Sequence, residues 1–203
     1  SPAGTDDASV TGVESDPFKT INYAFSRIYA VEDEAITVNF TEGIFSPSAT
    51  SELFPIVMIS NINLIGAGKN NSILDAEETD RVIIILHSKN NIIQDLAIKN
   101  GLTTYDGSWD NVLSSGAGGG IFIDYANPLL KNLLIANNSA DNGGGVYVKN
   151  DNSNLYTKFI NLIIDNNSAG SAGGAAIGGF IILTNVVISN NSAIGNAGGI
   201  RIR

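Results

Sequence analysis

The stretch "NNSADNGGGVYV" (residues 137–148) admits three readings. Asn137-Asn138-Ser139 has the form of a glycosylation acceptor, the glycines resemble a phosphate-cradling loop, and the whole has the length of one period of a repeat. The repeat decides the fold. "KNLLIANNS" (131–139), "INLIIDNNS" (160–168) and "TNVVISNNS" (184–192) share one pattern, and "QDLAIKNG" (94–101) and "NINLIGAG" (61–68) share its apolar alternation. The second apolar position runs Leu64, Ile98, Ile135, Ile164, Ile188, in steps of 34, 37, 29 and 24 residues. A second family lies between these strands: "GGGIFID" (118–124), "GGGVYVK" (143–149), "GGAAIGG" (173–179) and "GGIRIR" (198–203). Its first inward position is Ile121, Val146, Ala175 and Ile200, in steps of 25, 29 and 25. Two strand families in step, separated by short turns, require a chain that returns to the same place on each lap. That is an all-β coil of parallel strands, a β-helix solenoid.

Composition supports this. A chain of 203 residues suits one domain with a sizeable core, and 43% hydrophobic against 15% charged residues describes a folded rather than a disordered chain. The apolar runs, such as "RVIIIL" and "GGFIIL", are too short for a membrane span, so no membrane insertion is expected from this segment. A net charge of −9 argues against nucleic acid and anionic lipid as partners. The absence of cysteine excludes disulfides, thiolate metal sites and cysteine catalysis. One segment has a helical period: in "DPFKTINYAFSRIYA" (16–30), Phe18, Ile21, Phe25 and Ile28 share a face, with Asp16 placed as N-cap and Pro17 in the first turn.

These residues carry a resemblance. "INLIGAGKNNSILDA" (62–76), followed by strands ending in Asn, resembles the pectin-lyase-like right-handed parallel β-helix proteins. The GG-(A/G)-(I/V) and NNS repeats resemble those of chlamydial-type polymorphic outer-membrane proteins and related bacterial surface proteins. "DPFKTINYAF" (16–25) is similar to the capping segment that starts many such β-helices. The resemblance implies one right-handed β-helix domain over 1–203, with a cap helix over 16–30, irregular coils over 36–117 and regular coils over 118–203. It also implies an extracellular or bacterial cell-surface location. It leaves activity open, because the superfamily holds lyases, hydrolases, adhesins and inert stalks.

Alternation along the strands answers part of the opening question. With Leu133 and Ile135 inward, Asn137 points inward too, and the same count places Asn100, Asn166 and Asn190 inward. The expectation is a buried asparagine ladder at one corner of successive coils, which disfavours glycans at Asn137, Asn166 and Asn190. Asn39 and Asn70 also head acceptor motifs, and the sequence leaves them open. The phosphate-loop reading fails, since "GAGGGI" (116–121) and "GAGKNN" (66–71) lack the required spacings.

The site candidates are fewer. His87 is the sole histidine and has no serine elbow, so a catalytic triad is not expected. The resemblance to polysaccharide lyases and hydrolases turns attention to carboxylates, here Asp75, Asp80, Asp106, Asp110 and Asp124, with Arg81 as the nearest base. No cofactor is expected, calcium being the one the resemblance leaves open. The longest insertion, "GLTTYDGSWDNVLSSGAGG" (101–119), holds Tyr105, Asp106, Trp109 and Asp110, and aromatics beside carboxylates suit sugar rings. An outward row of Phe122, Tyr147, Ala176 and Arg201, with Asp124, Lys149 and Arg203 beside it, forms a second candidate face. The expected function is a structural and adhesive module of a bacterial surface or secreted protein that contacts polysaccharide or glycan, with a lyase or glycoside hydrolase as the alternative. The chain opens on Ser1 rather than methionine and stops within "GGIRIR". The expectation there is contact at the C-terminal coil, with further coils of a longer chain or with another subunit docked head to tail as in a filament.

Overall fold

The computed structural model describes residues 1–31, 34–105, 115–150 and 155–203. The chain winds as a right-handed parallel β-helix with an N-terminal helix. Each lap crosses three faces. The first face stacks Ile36–Asn39, Ile62–Ile65, Ile92–Gln94, Leu129–Lys131, Tyr156–Ile160 and Phe180–Thr184. The second stacks Gly43–Phe45, Ser72–Asp75, Ala97–Lys99, Leu134–Ala136, Ile163–Asp165 and Val187–Ser189. The third stacks Ile56–Val57, Ile83–Leu86, Ile121–Asp124, Val146–Lys149, Ala175–Gly178 and Ile200–Ile202. In the last three coils a corner sheet of Ser139–Asn142, Ser168–Ser171 and Ser192–Ala193 joins the second face to the third.

Inward side chains align in columns because every strand pair is parallel and in register. On the first face Leu64, Ile93, Leu130 and Phe159 stack, all fully buried. On the second, Phe45, Leu74, Ile98, Ile135 and Ile164 do the same. Each such side chain contributes about 1.5–3 kcal/mol by leaving water. The inward Leu183 and Ile202 of the sixth coil are exposed, at 41% and 55%. The alignment of 61–68 with the second-face strands does not hold. Leu64 pairs with Val38 and Ile93 on the first face, and the second-face partner of Ile98 is Leu74. All faces share the same apolar alternation, so pattern alone does not tell them apart.

The helix is shorter than its apolar period suggests, running Ile21–Arg27 with Thr20 as N-cap. Asp16 instead accepts hydrogen bonds from Thr11 N–H and Oγ1 (2.9 and 3.1 Å). Asp6 accepts from the N–H groups of Lys19 and Thr20 (2.8 and 3.1 Å) and from Thr20 Oγ1 (2.7 Å), which ties down the stretch just ahead of the helix. Ile21, Ala24 and Phe25 are buried, and Ile21 and Phe25 join the main core. The helix N-terminus is gripped by the buried Glu52, whose carboxylate accepts from Ile21 N–H (2.6 Å), Asn22 N–H (3.1 Å) and Asn22 Nδ2 (2.7 Å). Burial outweighs these bonds and pushes the Glu52 pKa above its ordinary value.

The asparagine corner is where the sequence reading needs correction. Asn137, Asn166 and Asn190 are exposed and Asn100 is only half-buried. All four have positive φ, between 52° and 59°. A residue in the left-handed region swings its side chain off the strand's alternation, so the next residue turns inward instead. The buried amides are therefore Asn138 and Asn167, continued by Asn191. Asn138 N–H and Nδ2 both donate to Asn167 Oδ1 at 3.0 Å, and Asn167 N–H and Nδ2 both donate to Asn191 Oδ1 at 2.9 Å. The second proton of each amide reaches a strand carbonyl of the coil before: Ile98 from Asn138 (3.2 Å), Ile135 from Asn167 (3.0 Å) and Ile164 from Asn191 (2.8 Å). The four positive-φ residues bond at the surface, as in Asn166 Nδ2 to Asn137 Oδ1 (2.6 Å) and Asn190 Nδ2 to Asp165 Oδ1 (2.8 Å). The burial argument against glycans at Asn137, Asn166 and Asn190 falls with the register.

The same stack explains the glycine pairs. A Cβ on Gly144 would lie 2.2 Å from Ser168 O, and one on Gly145 would lie 2.6 Å from Gly174 O and 3.0 Å from Asn167 Nδ2. NNS and GG are thus the two sides of one close contact.

Two outcomes follow. Asn167→Ala removes the acceptor of Asn138 and the donor to Ile135, so chemical denaturation is expected to show a loss of about 1–3 kcal/mol, against well under half of that for the exposed Asn166→Gly, which keeps the positive φ without strain. Equal losses would contradict the register. For Glu52, the folded-state pKa exceeds the unfolded one, so the folded protein holds the proton more tightly between the two values. Its contribution to stability is greatest in acid and falls as pH rises from the ordinary carboxylate range through that raised pKa. Urea midpoints measured across this window should lose the slope in Glu52→Gln.

Candidate functional site

Of the insertion's candidates, Asp106, Trp109 and Asp110 lie outside the described residues. Tyr105 is described. Its N–H donates to Asp141 Oδ2 (2.5 Å), and it bridges antiparallel to Ser115, so the two ends of the insertion are drawn together. Leu102 pairs with Ser139 and Ala117 with Asn142, and the N–H groups of Asp141 and Asn142 both donate to Gly116 O (2.8 and 3.1 Å). The insertion therefore springs from the corner between the second and third faces.

At its base lies the outer wall of the third face. The expected outward row is present in register, Phe122 beside Tyr147, then Ala176, then Arg201, with Asp124 next to Lys149. Phe122 and Tyr147 stack in parallel, with centroids 5.5 Å apart and 10° between planes. The Arg81 guanidinium sits 5.3 Å from the Phe122 centroid and donates to Thr103 Oγ1 at 2.8 Å. Arg81 is 1% exposed, and burial lowers its pKa while Asp80, 4.0 Å from Nε, opposes that shift. It stays cationic, since an arginine pKa starts far above neutrality. Phe122 is 2% exposed and packs with Ile84 and Ala117, so at that point the wall is closed rather than an open platform. Arg201 ties the row to the corner through Ser171 Oγ (2.6 Å) and Asn142 Oδ1 (2.8 Å).

The carboxylate candidates do not gather into one described cluster. Asp75 belongs to the second face and accepts from Asn100 Nδ2 and Glu77 N–H (each 2.9 Å). Asp80 flanks Arg81, and Asp124 is buried on the third face. His87 is exposed at φ 49° and stacks its ring on Tyr125, centroids 5.5 Å apart. Among the described residues no three His, Asp or Glu side chains converge on a metal-sized space.

The structure brings together a site that sequence reasoning missed. A groove of about 450 Å³ runs along the outside of the first face, where Asn63, Asn90, Asn127, Tyr156 and Lys158 surround Ile92 and Leu129. Its backbone is one outward column, with Leu129 paired in register to Ile92 on one side and to Lys158 on the other. Tyr156 is 45% exposed and leans on Phe180 with centroids 5.6 Å apart. The two outward columns of this face read Thr37, Asn63, Ile92, Leu129, Lys158, Ile182 and Asn39, Ile65, Gln94, Lys131, Ile160, Thr184. They hold two lysines and no carboxylate, in a chain whose net charge is −9. The signal was present in "NIIQDL", "PLLKNL" and "TKFINL", but only the coil register stacks these segments into a column. A larger space of about 1090 Å³ lies between the N-terminal segment and the first coil, walled by Phe18, Ile28, Val38 and Phe40.

Comparison with known proteins places this architecture. A family described as a protein of unknown function, DUF1565, matches residues 3–79, the N-terminal cap and the first coils. No curated protein sequence matches the chain. Among solved structures, a pectin methylesterase in complex with hexasaccharide VII is similar at TM-score 0.51 and 15% identity, over 94% of this chain and 68% of that one. Pectin methylesterase PemA from Erwinia chrysanthemi is similar at TM-score 0.49 and 12% identity, over 90% of this chain and 65% of that one. At such identity the likeness shows the fold alone, the right-handed parallel β-helix. The resemblance to polymorphic outer-membrane proteins rests on the sequence repeats.

The Arg81 environment yields a measurable expectation. Thr103→Val keeps side-chain shape but removes the oxygen that receives the buried guanidinium proton. Equilibrium unfolding should show a loss of about 1–3 kcal/mol, and an unchanged midpoint would mean that Thr103 does not anchor Arg81.

Proposed function

We propose that this chain is a glycan-contacting structural module of a bacterial surface or secreted protein, with the first-face groove as its contact surface. The observation that carries the reading is the charge distribution: the outward columns of the first face hold Lys131 and Lys158 and no carboxylate, although the chain as a whole is acidic. Such a strip favours an anionic polymer over a neutral one. The rest of the groove suits sugars. The exposed Asn90 and Asn127 carry amides that suit hydroxyls, while the buried Asn63 amide is bonded to Ile92 N–H and Thr37 Oγ1, and the exposed Tyr156 ring offers a face for stacking. No described helix is long and apolar enough to cross a membrane.

The insertion residues Tyr105, Asp106, Trp109 and Asp110 remain a second contact in this proposal, on the corner between the other two faces. The alternative is a polysaccharide lyase or hydrolase, drawing on the fold shared with pectin methylesterases. The described groove favours binding without turnover, because its lining holds no carboxylate to act as acid, base or nucleophile.

Binding to polygalacturonate and to a neutral glucan, measured by calorimetry with and without calcium, tests this. Lys158→Glu should weaken the acidic polymer by at least about tenfold, roughly 1.4 kcal/mol, with an unchanged melting temperature, and added salt should weaken it in the wild type. Tyr156→Ala should weaken both polymers. A loss confined to Trp109→Ala would move the site to the insertion, and release of unsaturated or reducing ends would establish the enzyme instead.

A further inference from the structure

The second face differs from the other two on its outside. Its first outward column reads Ile44, Ile73, Ala97, Leu134, Ile163, Val187, in continuous parallel register through all six coils. No other outward column of the three faces is wholly apolar among the described residues; the corresponding columns carry Lys158 on the first face and Arg201 on the third. Ile44 and Val187 are 47% and 51% exposed, Ile73, Leu134 and Ile163 are half-buried, and Ala97 is fully buried, so the ridge dips at the third coil. With about 4.8 Å between coils the ridge is about 24 Å long. Beside it runs a second outward column, Asp75, Lys99, Ala136, Asp165, Ser189.

We infer that this ridge is a self-association surface, on which two copies of the chain pack second face to second face with their axes antiparallel and a two-fold passing through Leu134. The pattern of sizes and charges selects that arrangement. Turning one copy about Leu134 sets Ala97 against Ile163 and Ile73 against Val187, so the smallest side chain of the ridge receives a large one. In the flanking column the same rotation sets Lys99 against Asp165, twice by symmetry, and Asp75 against Ser189. Moving the two-fold to lie between Ala97 and Leu134 would instead bring Asp75 onto Asp165, two like charges. A parallel pairing would set each residue against its own copy, leaving Ala97 opposite Ala97 and a gap in the ridge. Antiparallel pairing about Leu134 thus satisfies both packing and charge. A ridge of this length with its flanks covers an area near the lower bound of about 1,000 Å² for a specific interface, so the dimer is expected to dissociate in the micromolar range. The surface is separate from the first-face groove and does not depend on what that groove binds.

Sedimentation equilibrium over micromolar concentrations tests the inference on the whole chain. The wild type should show a concentration-dependent dimer. Leu134→Lys, at an outward half-buried position, should raise the dissociation constant at least about tenfold with unchanged circular dichroism and melting temperature. Lys99→Asp should do the same, and combining it with Asp165→Lys should restore the dimer. Because Asp165 also receives Ser189 and Asn190, the melting temperature of that double variant is recorded, and Lys99→Asp alone suffices if it falls. The chain has no cysteine, so single thiols report geometry directly. Leu134→Cys should cross-link with a short bis-maleimide, whereas Ile73→Cys should not, since the two copies of Ile73 would stand about 19 Å apart along the axis. Lys158→Glu serves as control and should leave the dimer intact. A monomer at every concentration, a Leu134→Lys variant that still dimerises, or equal cross-linking through Ile73→Cys would overturn it.

Discussion

A parallel coil must satisfy buried backbone where the chain leaves its strands, and the corner between the second and third faces is where this constraint repeats coil after coil. Buried backbone groups there border a turn, and a buried polar group left without a partner costs about 1–3 kcal/mol. The stacked amides resolve this, Asn138 and Asn167 each joining its own coil to the ones before and after, and Asn191 joining the last coil to the one before. Because each amide bonds a particular carbonyl of the preceding coil, the stack sets the register of those coils. The glycine pairs opposite it are a consequence, since any Cβ there would occupy the space of a carbonyl or an amide.

From that register the rest of the molecule acquires its differentiation. Inward columns are apolar throughout and mostly aliphatic, and burial alone would satisfy them in several alignments one coil or two residues apart. The corner bonds remove that degeneracy. Once the coils cannot slip, outward positions stack as reliably as inward ones, and each face can carry its own chemistry. The first face collects amides, Tyr156 and lysines; the second collects an apolar ridge; the third collects a ring pair with Arg81 and Arg201 beside it. None of these groupings is local in sequence. Lys158 and Ile92 lie 66 residues apart in the chain and belong to one column only through Leu129.

The fold was legible because the period is written twice, once in the strands before NNS and once in the strands after GG. The outward row Phe122, Tyr147, Ala176, Arg201 was legible for the same reason: it lies inside one strand family, where simple alternation holds. Alternation failed at Asn137, Asn166 and Asn190, because a positive φ turns the side chain outward and passes the inward place to the next residue. Two adjacent asparagines, one bent outward at the turn and one buried, look interchangeable in sequence. The helix start was misplaced for a related reason. Asp16 has the right residue type for a cap, but Asp6 holds Lys19 and Thr20 instead, and that contact is not visible as a motif. The first-face groove was illegible because its column requires knowing which strands share a face, and 61–68 was aligned to the wrong one.

The architecture also separates what stabilises from what recognises. Corner amides, glycine pairs and inward aliphatics are fully engaged with neighbouring coils, so changing one of them perturbs the coils on either side. Outward side chains such as Lys158 or Leu134 touch mainly their own column and can change with little effect on the stack. A solenoid of this kind can therefore acquire a binding groove on one face and an association ridge on another without altering its core. Surface charge is the readable trace of such acquisition. In a chain with net charge −9, a face whose outward columns carry lysine and exclude carboxylates lowers the repulsion that the rest of the molecule presents to an anionic polymer. Cancelling that positive strip at Lys158 alone would leave the fold intact and return the first face to the electrostatic character of the whole, which is why charge, more than shape, distinguishes a contact surface here from an ordinary solvated wall.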